Sequence, residues 1–337
     1  MTTLSRTKAA AGQRARDWDV LWERYGITVV LLVAWVLAAL FTPNFATKDN
    51  FFNMLRQGSF VGVAAVGMTI AIISGTFDLS VGTALALCAW LTIWVAARAG
   101  VAASIIVGLG AGVVVGAING LLVSRVRIPA FVATLGMYYV VRGFAFIISE
   151  GAPATFNGQS FVWMGNGSIG VFPVPFLVMV VCALVGAGVL RFTAFGRYVY
   201  ATGSNSMAAL VAGVPLRQVT MLVFMVVGLF NAISAVLIGS RLYSATAALE
   251  PGFELKVIAT VVLGGTRLAG GRGSLLGTVS AALLFATLSN VLNLFHADPF
   301  VQRVVEGLVL LVALSIEGVR QRIAERLSRT RGVVAEE

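Results

Sequence analysis

Asp78 is the side chain whose chemistry stands out first, because it is a lone carboxylate between two long apolar runs. The earlier run ends at Gly75, and Ser80 and Gly82 begin the later one. A carboxylate placed here can accept backbone N–H bonds at the start of the second helix, which makes it a capping group. It can also mark a broken helix beside a solute path, since irregular backbone at membrane depth survives only where protein or a water-filled cavity satisfies it. The two interpretations are compatible.

A second glycine-rich segment, residues 264–273, follows the β-branched run 257–263 and so imitates a strand that enters a phosphate-binding loop. Such a loop requires Lys and then Ser or Thr after its glycines, to reach the phosphates and Mg²⁺, and Arg and Gly stand there instead. We therefore expect no nucleotide site in this chain. The segment also fits a tight crossing between packed helices, which small residues favour in membranes.

Catalytic and metal-binding constellations are missing from the sequence. His296 is the only histidine and lies beside Asp298 in a loop, so neither a zinc site nor a catalytic triad can be assembled around it. Cys88 and Cys182 both lie in apolar runs, where a cysteine is typically a small buried hydrophobe. We expect no catalytic residue, no metal and no bound cofactor, and the chain is predicted not to be an enzyme.

The composition predicts a single integral membrane domain. Apolar residues make up 58% of the chain and charged residues 11%, whereas a soluble domain carries roughly 25% charged residues. At about 20 residues for each crossing of a ~30 Å hydrocarbon core, the 337 residues leave room for around ten helices. The predicted fold class is therefore all-α and polytopic.

The predicted helices are ten apolar runs bounded by glycine, proline or charge. They cover residues 26–42, 59–74, 80–97, 101–123, 130–149, 173–190, 218–240, 256–266, 274–295 and 301–318. The eighth run is too short to cross a membrane unaided. A short interfacial helix can also form after Pro43, where it would hold Lys48 and Arg56.

The distribution of basic residues predicts how these helices are oriented. Lys and Arg cluster before the first run, after the last run and in alternate loops, so both termini are predicted to be cytoplasmic. The same distribution argues against nucleic acid as a partner, despite a formal charge of +10. The loop at 151–173 holds no Lys or Arg and is predicted to be an external docking surface. The predicted boundaries are a cytoplasmic segment at 1–25, a transmembrane domain at 26–318, whose first helix is not cleaved, and a cytoplasmic tail at 319–337.

Three strings in the chain carry a resemblance to a known family. They are Ser74–Gly82, Phe195–Val214 and Phe253–Thr278. In this order they resemble the signatures of the permease subunits of ribose-, arabinose- and xylose-type ABC sugar importers. The resemblance covers nearly the whole chain after Tyr25, and it is specific for the family but not for the sugar.

The resemblance implies a site at each string. The first and third would be broken or re-entrant helices beside the translocation path, with the candidates Gly75, Asp78, Ser80, Gly82, Gly264, Gly265, Gly271 and Gly273. The second would be a cytoplasmic loop that engages ATPase subunits, with the candidates Gly196, Arg197, Asn205, Ala208, Ala209 and Gly213. Its residues fit a short helix from Ser204 to Ala212, begun by Asn and Ser and ended by Gly. An ordinary interfacial helix would look similar.

The resemblance also implies partners and a substrate. Two cytoplasmic ATPase chains would bind ATP and Mg²⁺, and an extracytoplasmic (periplasmic) binding protein would deliver a monosaccharide of the pentose or hexose class. A second permease subunit, identical or paralogous, would complete the pore among the lipids of a bacterial inner membrane. An ABC permease for a nucleoside or a branched-chain amino acid is the alternative within this class. A stand-alone ion-coupled carrier is a different class, in which Asp78 and Glu306 would be the buried carboxylates.

Arg142 and Glu306 are charges that fall within predicted helices. Arg142 lies about seven residues before the outer end of its helix and Glu306 about six after the outer start of another, so at ~1.5 Å per residue both lie roughly 10 Å below the outer surface. An unpaired charge costs some ~2.5–3.5 kcal/mol at mid-membrane on insertion scales. Our hypothesis is an intramembrane ion pair between them, and the rival is that each faces a water-filled cavity.

Overall fold

The computed structural model describes residues 25–298, 300–309, 311–312 and 315 of the chain. The first helices are α1 (Tyr25–Phe41), α2 (Lys48–Ile73), α3 (Val81–Ser124), α4 (Ala130–Ser149), α5 (Gln159–Asn166) and α6 (Val174–Phe192). They are followed by α7 (Ala194–Ser204), α8 (Ser206–Val211), α9 (Leu216–Leu242), α10 (Phe253–Leu263) and α11 (Leu275–Leu294), and residues 300–309 lie in α12. The described strands are β1 (Ala154–Thr155), β2 (Ser168–Ile169), β3 (Phe172–Pro173) and β4 (Ser244–Ala245).

Helix α3 is two antiparallel helices joined at Gly100. Gly100 has φ 84° and ψ 170°, a backbone conformation that glycine adopts readily and that interrupts the helix. The two halves fold back on each other, since Gly108 lies against the hydroxyl of Thr92 so closely that a side chain there would overlap it. The predicted helices at 80–97 and 101–123 correspond to these halves.

The centre of the bundle is formed by α2 and α9. Most of the length of α2 and α9 is buried, whereas α3, α4 and α6 bury only about a third of their most apolar segments. Apolar side chains that remain exposed on the peripheral helices are expected where lipid is the solvent. Glycines bring α3 and α9 together, because side chains at Gly112 and Gly228 would overlap the backbone of the opposite helix.

Helices α3 and α10 both begin in the middle of the bundle. Asn231, near the centre of α9, donates from Nδ2 to the carbonyl oxygen of Val81 at 2.9 Å. The carboxylate of Glu254, at the start of α10, lies directly over Gly82, so that a side chain at Gly82 would overlap it. At 11 residues, α10 spans only about 16 Å, which is half of a ~30 Å hydrocarbon core.

The structure confirms the all-α polytopic class, with helices α2, α3, α4, α6, α9 and α11 long and apolar enough to cross a membrane. The predicted interfacial helix after Pro43 is wrong, because α2 begins at Lys48 and runs without a break through Arg56. The physical reason is that its polar first turn is continuous with the apolar run that follows. Residues 310, 313–314 and 316–318 of the last run, residues 1–24 and the whole of segment 319–337 lie outside the described residues. The count of ten helices stays a prediction.

The predicted external loop is largely structured. It contains α5 and the β2–β3 hairpin, and β1 at its start pairs antiparallel with β4. Asn166 joins α5 to the ends of two long helices, because its backbone oxygen accepts from Arg56 Nη2 at 3.2 Å and its Nδ2 donates to the Arg241 carbonyl oxygen at 3.1 Å. The loop is therefore a small folded cap on one end of the bundle.

Candidate functional site

The three resembling strings meet at one point, where backbone lies directly against backbone. The end of α2 contributes Ile73, and the turn after it contributes Gly75. The end of α7 contributes Gly203, and the connection between α10 and α11 contributes Gly270 and Gly271. The Gly271 N–H donates to the Ile73 carbonyl oxygen at 2.8 Å. We call these five residues the glycine junction.

Only glycine fits at the junction. A Cβ on Gly203 would overlap the carbonyl oxygen of Ile73 and lie 2.7 Å from the Gly271 nitrogen. Gly75, Gly270 and Gly271 have φ angles of 83°, 87° and 75°, which side chains other than glycine rarely tolerate. The junction therefore combines contact between backbones with left-handed turns, and both require the absence of a side chain.

Helix α7 is fixed firmly to the bundle, whereas α8 is largely exposed. Gly196 is buried in α7 so closely against Leu190 that a side chain would overlap its backbone, and Ala209 is buried in α8. Asn205 begins α8, because its Oδ1 accepts from the Ala208 N–H at 3.0 Å. Gly213 follows the helix with φ 81°. The predicted short helix with an Asn start and a Gly stop is thus present, while Arg197 and Ala208 are exposed.

Asp78 is buried and hydrogen-bonded to Ser80 and Asn119. Its Oδ1 accepts from the Ser80 N–H at 2.8 Å and from the Ser80 hydroxyl at 2.7 Å. Its Oδ2 accepts from Nδ2 of Asn119 at 2.9 Å. The same Nδ2 also lies 2.9 Å from the Ser80 hydroxyl oxygen. Asp78 therefore links the start of α3 to the second half of the same helix. Its carboxylate accepts from Ser80, the residue just before α3, and not from an N–H group inside the first turn.

Asn119 was not among the sequence-derived candidates. A single Asn in the apolar run 101–123 is the signal that could have found it, because a polar amide in a membrane helix needs a partner.

The glycines around the α10–α11 connection form both a helix break and a tight crossing. A Cβ on Gly264 would lie 2.6 Å from the Thr278 nitrogen, so α10 and α11 pass each other at backbone contact. Gly265 turns the chain with φ 87°, and a Cβ on Gly273 would lie 2.7 Å from the Ile73 side chain. The two interpretations that the sequence left open therefore describe the same segment.

The predicted pair between Arg142 and Glu306 is wrong for the described structure. Glu306 Oε1 instead accepts from Lys256 Nζ at 2.9 Å and from the Ser289 hydroxyl at 2.7 Å. Arg142 is exposed on α4 and donates from Nη1 to the Tyr138 hydroxyl at 3.3 Å. Equal depth along two helices does not show which helices are neighbours. Helix α10 packs on α11 and its Lys256 reaches Glu306, whereas α4 packs chiefly on α3.

A cavity of about 220 Å³ lies between α2, α9, α10 and α11, and we call it the bundle cavity. Its polar lining includes Gln57, Arg241, Glu250, Lys256 and Ser289. Gln57 precedes Ile73 on α2 by 16 residues, or about 24 Å at 1.5 Å per residue. The cavity is therefore well separated from the glycine junction along α2, and the candidates named from the three strings do not line it.

This architecture is that of a multi-pass membrane transport subunit with interrupted helices at its centre. Over residues 50–314, the chain matches the family described as "Branched-chain amino acid transport system / permease component". Because the match covers most of the chain, the chain belongs to this family of permease components.

Among similar proteins, the L-arabinose transport system permease protein AraH of Escherichia coli (strain K12) is 35% identical over 326 residues, which are 96% of this chain and 98% of AraH. The ribose import permease protein RbsC of the same organism is 35% identical over 322 residues, covering 94% of this chain and 99% of RbsC. RbsC of Bacillus subtilis (strain 168) is 36% identical over 308 residues, with 90% and 96% coverage. The similarity therefore extends over the whole bundle.

Proposed function

We propose that this chain is the permease subunit of a binding-protein-dependent ABC importer and that it carries a monosaccharide into the cytoplasm. The observation that carries the proposal is identity of 35% with an arabinose and a ribose permease over nearly the full length of all three chains. Similarity of that extent includes the junction, the helix breaks and the structured cap together. Cytoplasmic ATPase chains with ATP and Mg²⁺, a periplasmic sugar-binding protein and a second permease subunit complete the assembly.

The glycine junction supports a coupling role for α7 and α8. Gly203 at the end of α7 touches the backbone that follows α2 and the backbone between α10 and α11. Contacts between backbones have no side-chain freedom to absorb a displacement, so a movement of α7 is passed directly to both helix breaks. ATP hydrolysis by partner chains that push on α7 and α8 would then alternate access to the solute path.

Helix α8 provides the surface on which an ATPase chain would dock. Met207 and Val211 are 71% and 89% exposed on this six-residue helix, although both are apolar. Arg197 on α7 and Arg217 near the start of α9 lie close in sequence on either side. Apolar side chains rimmed by charge are typical of a protein interaction surface. Val211→Glu would weaken ATPase binding at least tenfold in co-purification. Val185→Glu on α6 is the control, because it places the same charge at a comparably apolar position that faces lipid.

The orientation that we propose has both termini and α7–α8 in the cytoplasm and the α5 cap outside a bacterial inner membrane. In single-cysteine variants, Asn166→Cys would react with an impermeant thiol reagent added to intact cells, and Ser204→Cys would react only after permeabilisation. Labelling of Ser204→Cys from outside would contradict this orientation.

A branched-chain amino acid is the second candidate substrate, because the family description names it. The deciding experiment is uptake of radiolabelled D-ribose, L-arabinose and L-leucine by the chain co-expressed with its ATPase and binding protein. We expect uptake of a sugar that is abolished by an ATPase subunit unable to hydrolyse ATP. Uptake of leucine alone would replace the substrate class, and uptake without any ATPase would indicate an ion-coupled carrier.

A further inference from the structure

We propose that the bundle cavity is a transit site for one neutral monosaccharide, an inference that rests on the proposed function. The cavity of about 220 Å³ approaches the ~300 Å³ at which small-molecule pockets begin. Helices α2, α9, α10 and α11 all contribute to its wall. It thus lies between four helices of the bundle.

The polar groups of the cavity suit hydroxyl groups. Gln57 can donate and accept hydrogen bonds, the Ser289 hydroxyl oxygen can accept one while its proton is donated to Glu306, and Glu250 supplies a further acceptor. Polar side chains within membrane helices are costly and usually face a water-filled cavity or a functional path. Three such groups on three different segments can hold a ring that carries hydroxyls on several sides.

The charges of the cavity are balanced, which favours a neutral ligand. Lys256 Nζ is neutralised by Glu306 at 2.9 Å, and Arg241, which donates to Asn53 Oδ1 at 3.0 Å, faces the same cavity as Glu250. A zwitterionic amino acid would have to compete for these existing partners, whereas a sugar can hydrogen-bond around them.

Aromatic rings complete the wall of the cavity. Phe60, Phe253 and Phe285 all line it and are almost fully buried. Binding sites for small molecules typically combine apolar and aromatic walls with a few convergent polar groups. The C–H faces of a pyranose or furanose ring can lie against such walls while its hydroxyls reach the polar side chains.

Chemical modification at Ser289 tests this site after the protein has folded. The Ser289→Cys variant is assembled with its ATPase and binding protein in liposomes and treated with a small neutral methanethiosulfonate reagent. Modification is expected to lower uptake of the transported sugar, D-ribose or L-arabinose, at least tenfold. Sugar-loaded binding protein with ATP is expected to slow modification severalfold relative to empty binding protein. The native Cys88 and Cys182 are buried, so wild-type protein gives the background.

The matched control is Asn293→Cys, one turn further along α11 and exposed outside the cavity. It is expected to react without losing uptake and without protection by sugar. Full uptake by modified Ser289→Cys, equal modification with and without sugar, or no reaction at Ser289→Cys would each overturn the inference.

A second variant, Gln57→Leu, removes an amide without changing the length of the side chain greatly. It is expected to lower sugar uptake about tenfold while binding-protein-stimulated ATP hydrolysis is retained, and unchanged uptake would count against the site. Failure of the proposed function would be seen in the wild-type complex, which would then import no sugar. Failure of the cavity inference would be seen only in the variants.

Discussion

The glycine junction and the bundle cavity lie towards opposite ends of α2 and are built in opposite ways. The junction consists of backbone against backbone, with the Gly271 N–H bonded to the Ile73 carbonyl oxygen at 2.8 Å and no room for a side chain on Gly203. The cavity consists of side chains around about 220 Å³ of space. The first arrangement leaves no room for side chains, whereas the second leaves space for a ligand.

This difference explains which part of the chain carries a recognisable pattern. A junction that excludes every side chain requires glycine at particular positions, and a sequence shows glycines directly. A cavity can be lined by many combinations of polar and aromatic residues. The glycines within the three strings therefore mark the junction and leave the identity of the solute open.

The largest expected effect belongs to the junction itself. Gly203→Ala adds a Cβ that would overlap the Ile73 carbonyl oxygen, so the ends of α2 and α7 must separate. Uptake by the assembled transporter is expected to fall at least a hundredfold. Gly188→Ala is the matched control, because Gly188 also lies within a helix but has open space where its Cβ would be. The control should retain uptake, and equal uptake by both variants would show that the junction does not transmit movement.

An intermediate effect is expected at the Asp78 network, which supports the junction from the neighbouring helix break. Asn119→Leu removes the donor to Asp78 Oδ2 and leaves a buried carboxylate oxygen without that partner. The free energy of unfolding should fall by about 1.5–3 kcal/mol, as for other hydrogen bonds to charged groups. Thermal unfolding in detergent measures this loss.

The exchange Asp78→Asn with Asn119→Asp sharpens this test. It reverses donor and acceptor, so the double variant should be more stable than either single variant. Additive losses would indicate that the two side chains do not act as a pair.

A smaller effect is expected for the ion pair beside the bundle cavity. Glu306→Gln removes the partner of Lys256 and should lower stability by about 1 kcal/mol, since both side chains keep some exposure. The exchange of Lys256→Glu with Glu306→Lys should recover part of the loss. Arg142→Gln should leave the Lys256–Glu306 pair intact, because Arg142 lies on α4 and bonds to Tyr138. Recovery of stability on exchanging Arg142 and Glu306 would instead support the ion pair that was predicted from the sequence.

Helix boundaries were predictable where proline or glycine stands at the end of an apolar run. Helix α4 spans Ala130–Ser149, as predicted from Pro129 before it and the glycine after it, and α3 breaks at Gly100 between the predicted helices. These boundaries depend on local backbone preference, which a sequence expresses directly. Helix α2 extends further than predicted, because a polar first turn resembles an interfacial segment when it is seen alone.

The contacts of the site could not be predicted, because they join segments that are far apart in the chain. Residues 73, 203 and 271 become neighbours only when α2, α7 and the α10–α11 connection pack together. Asp78 and its serine were visible as a pair, but Asn119 enters from the second half of α3. The pairing of Glu306 with Lys256 shows the same limit, because depth along a helix does not specify the neighbouring helix.

One measurement tests most directly whether the junction transmits and the cavity selects. ATP hydrolysis and sugar uptake are measured together in liposomes for wild type, Gly203→Ala and Gln57→Leu, each with sugar-loaded binding protein. The account predicts that Gly203→Ala loses both uptake and the stimulation of ATP hydrolysis, whereas Gln57→Leu loses uptake but keeps the stimulation. Loss of stimulation in Gln57→Leu together with its retention in Gly203→Ala would contradict the account.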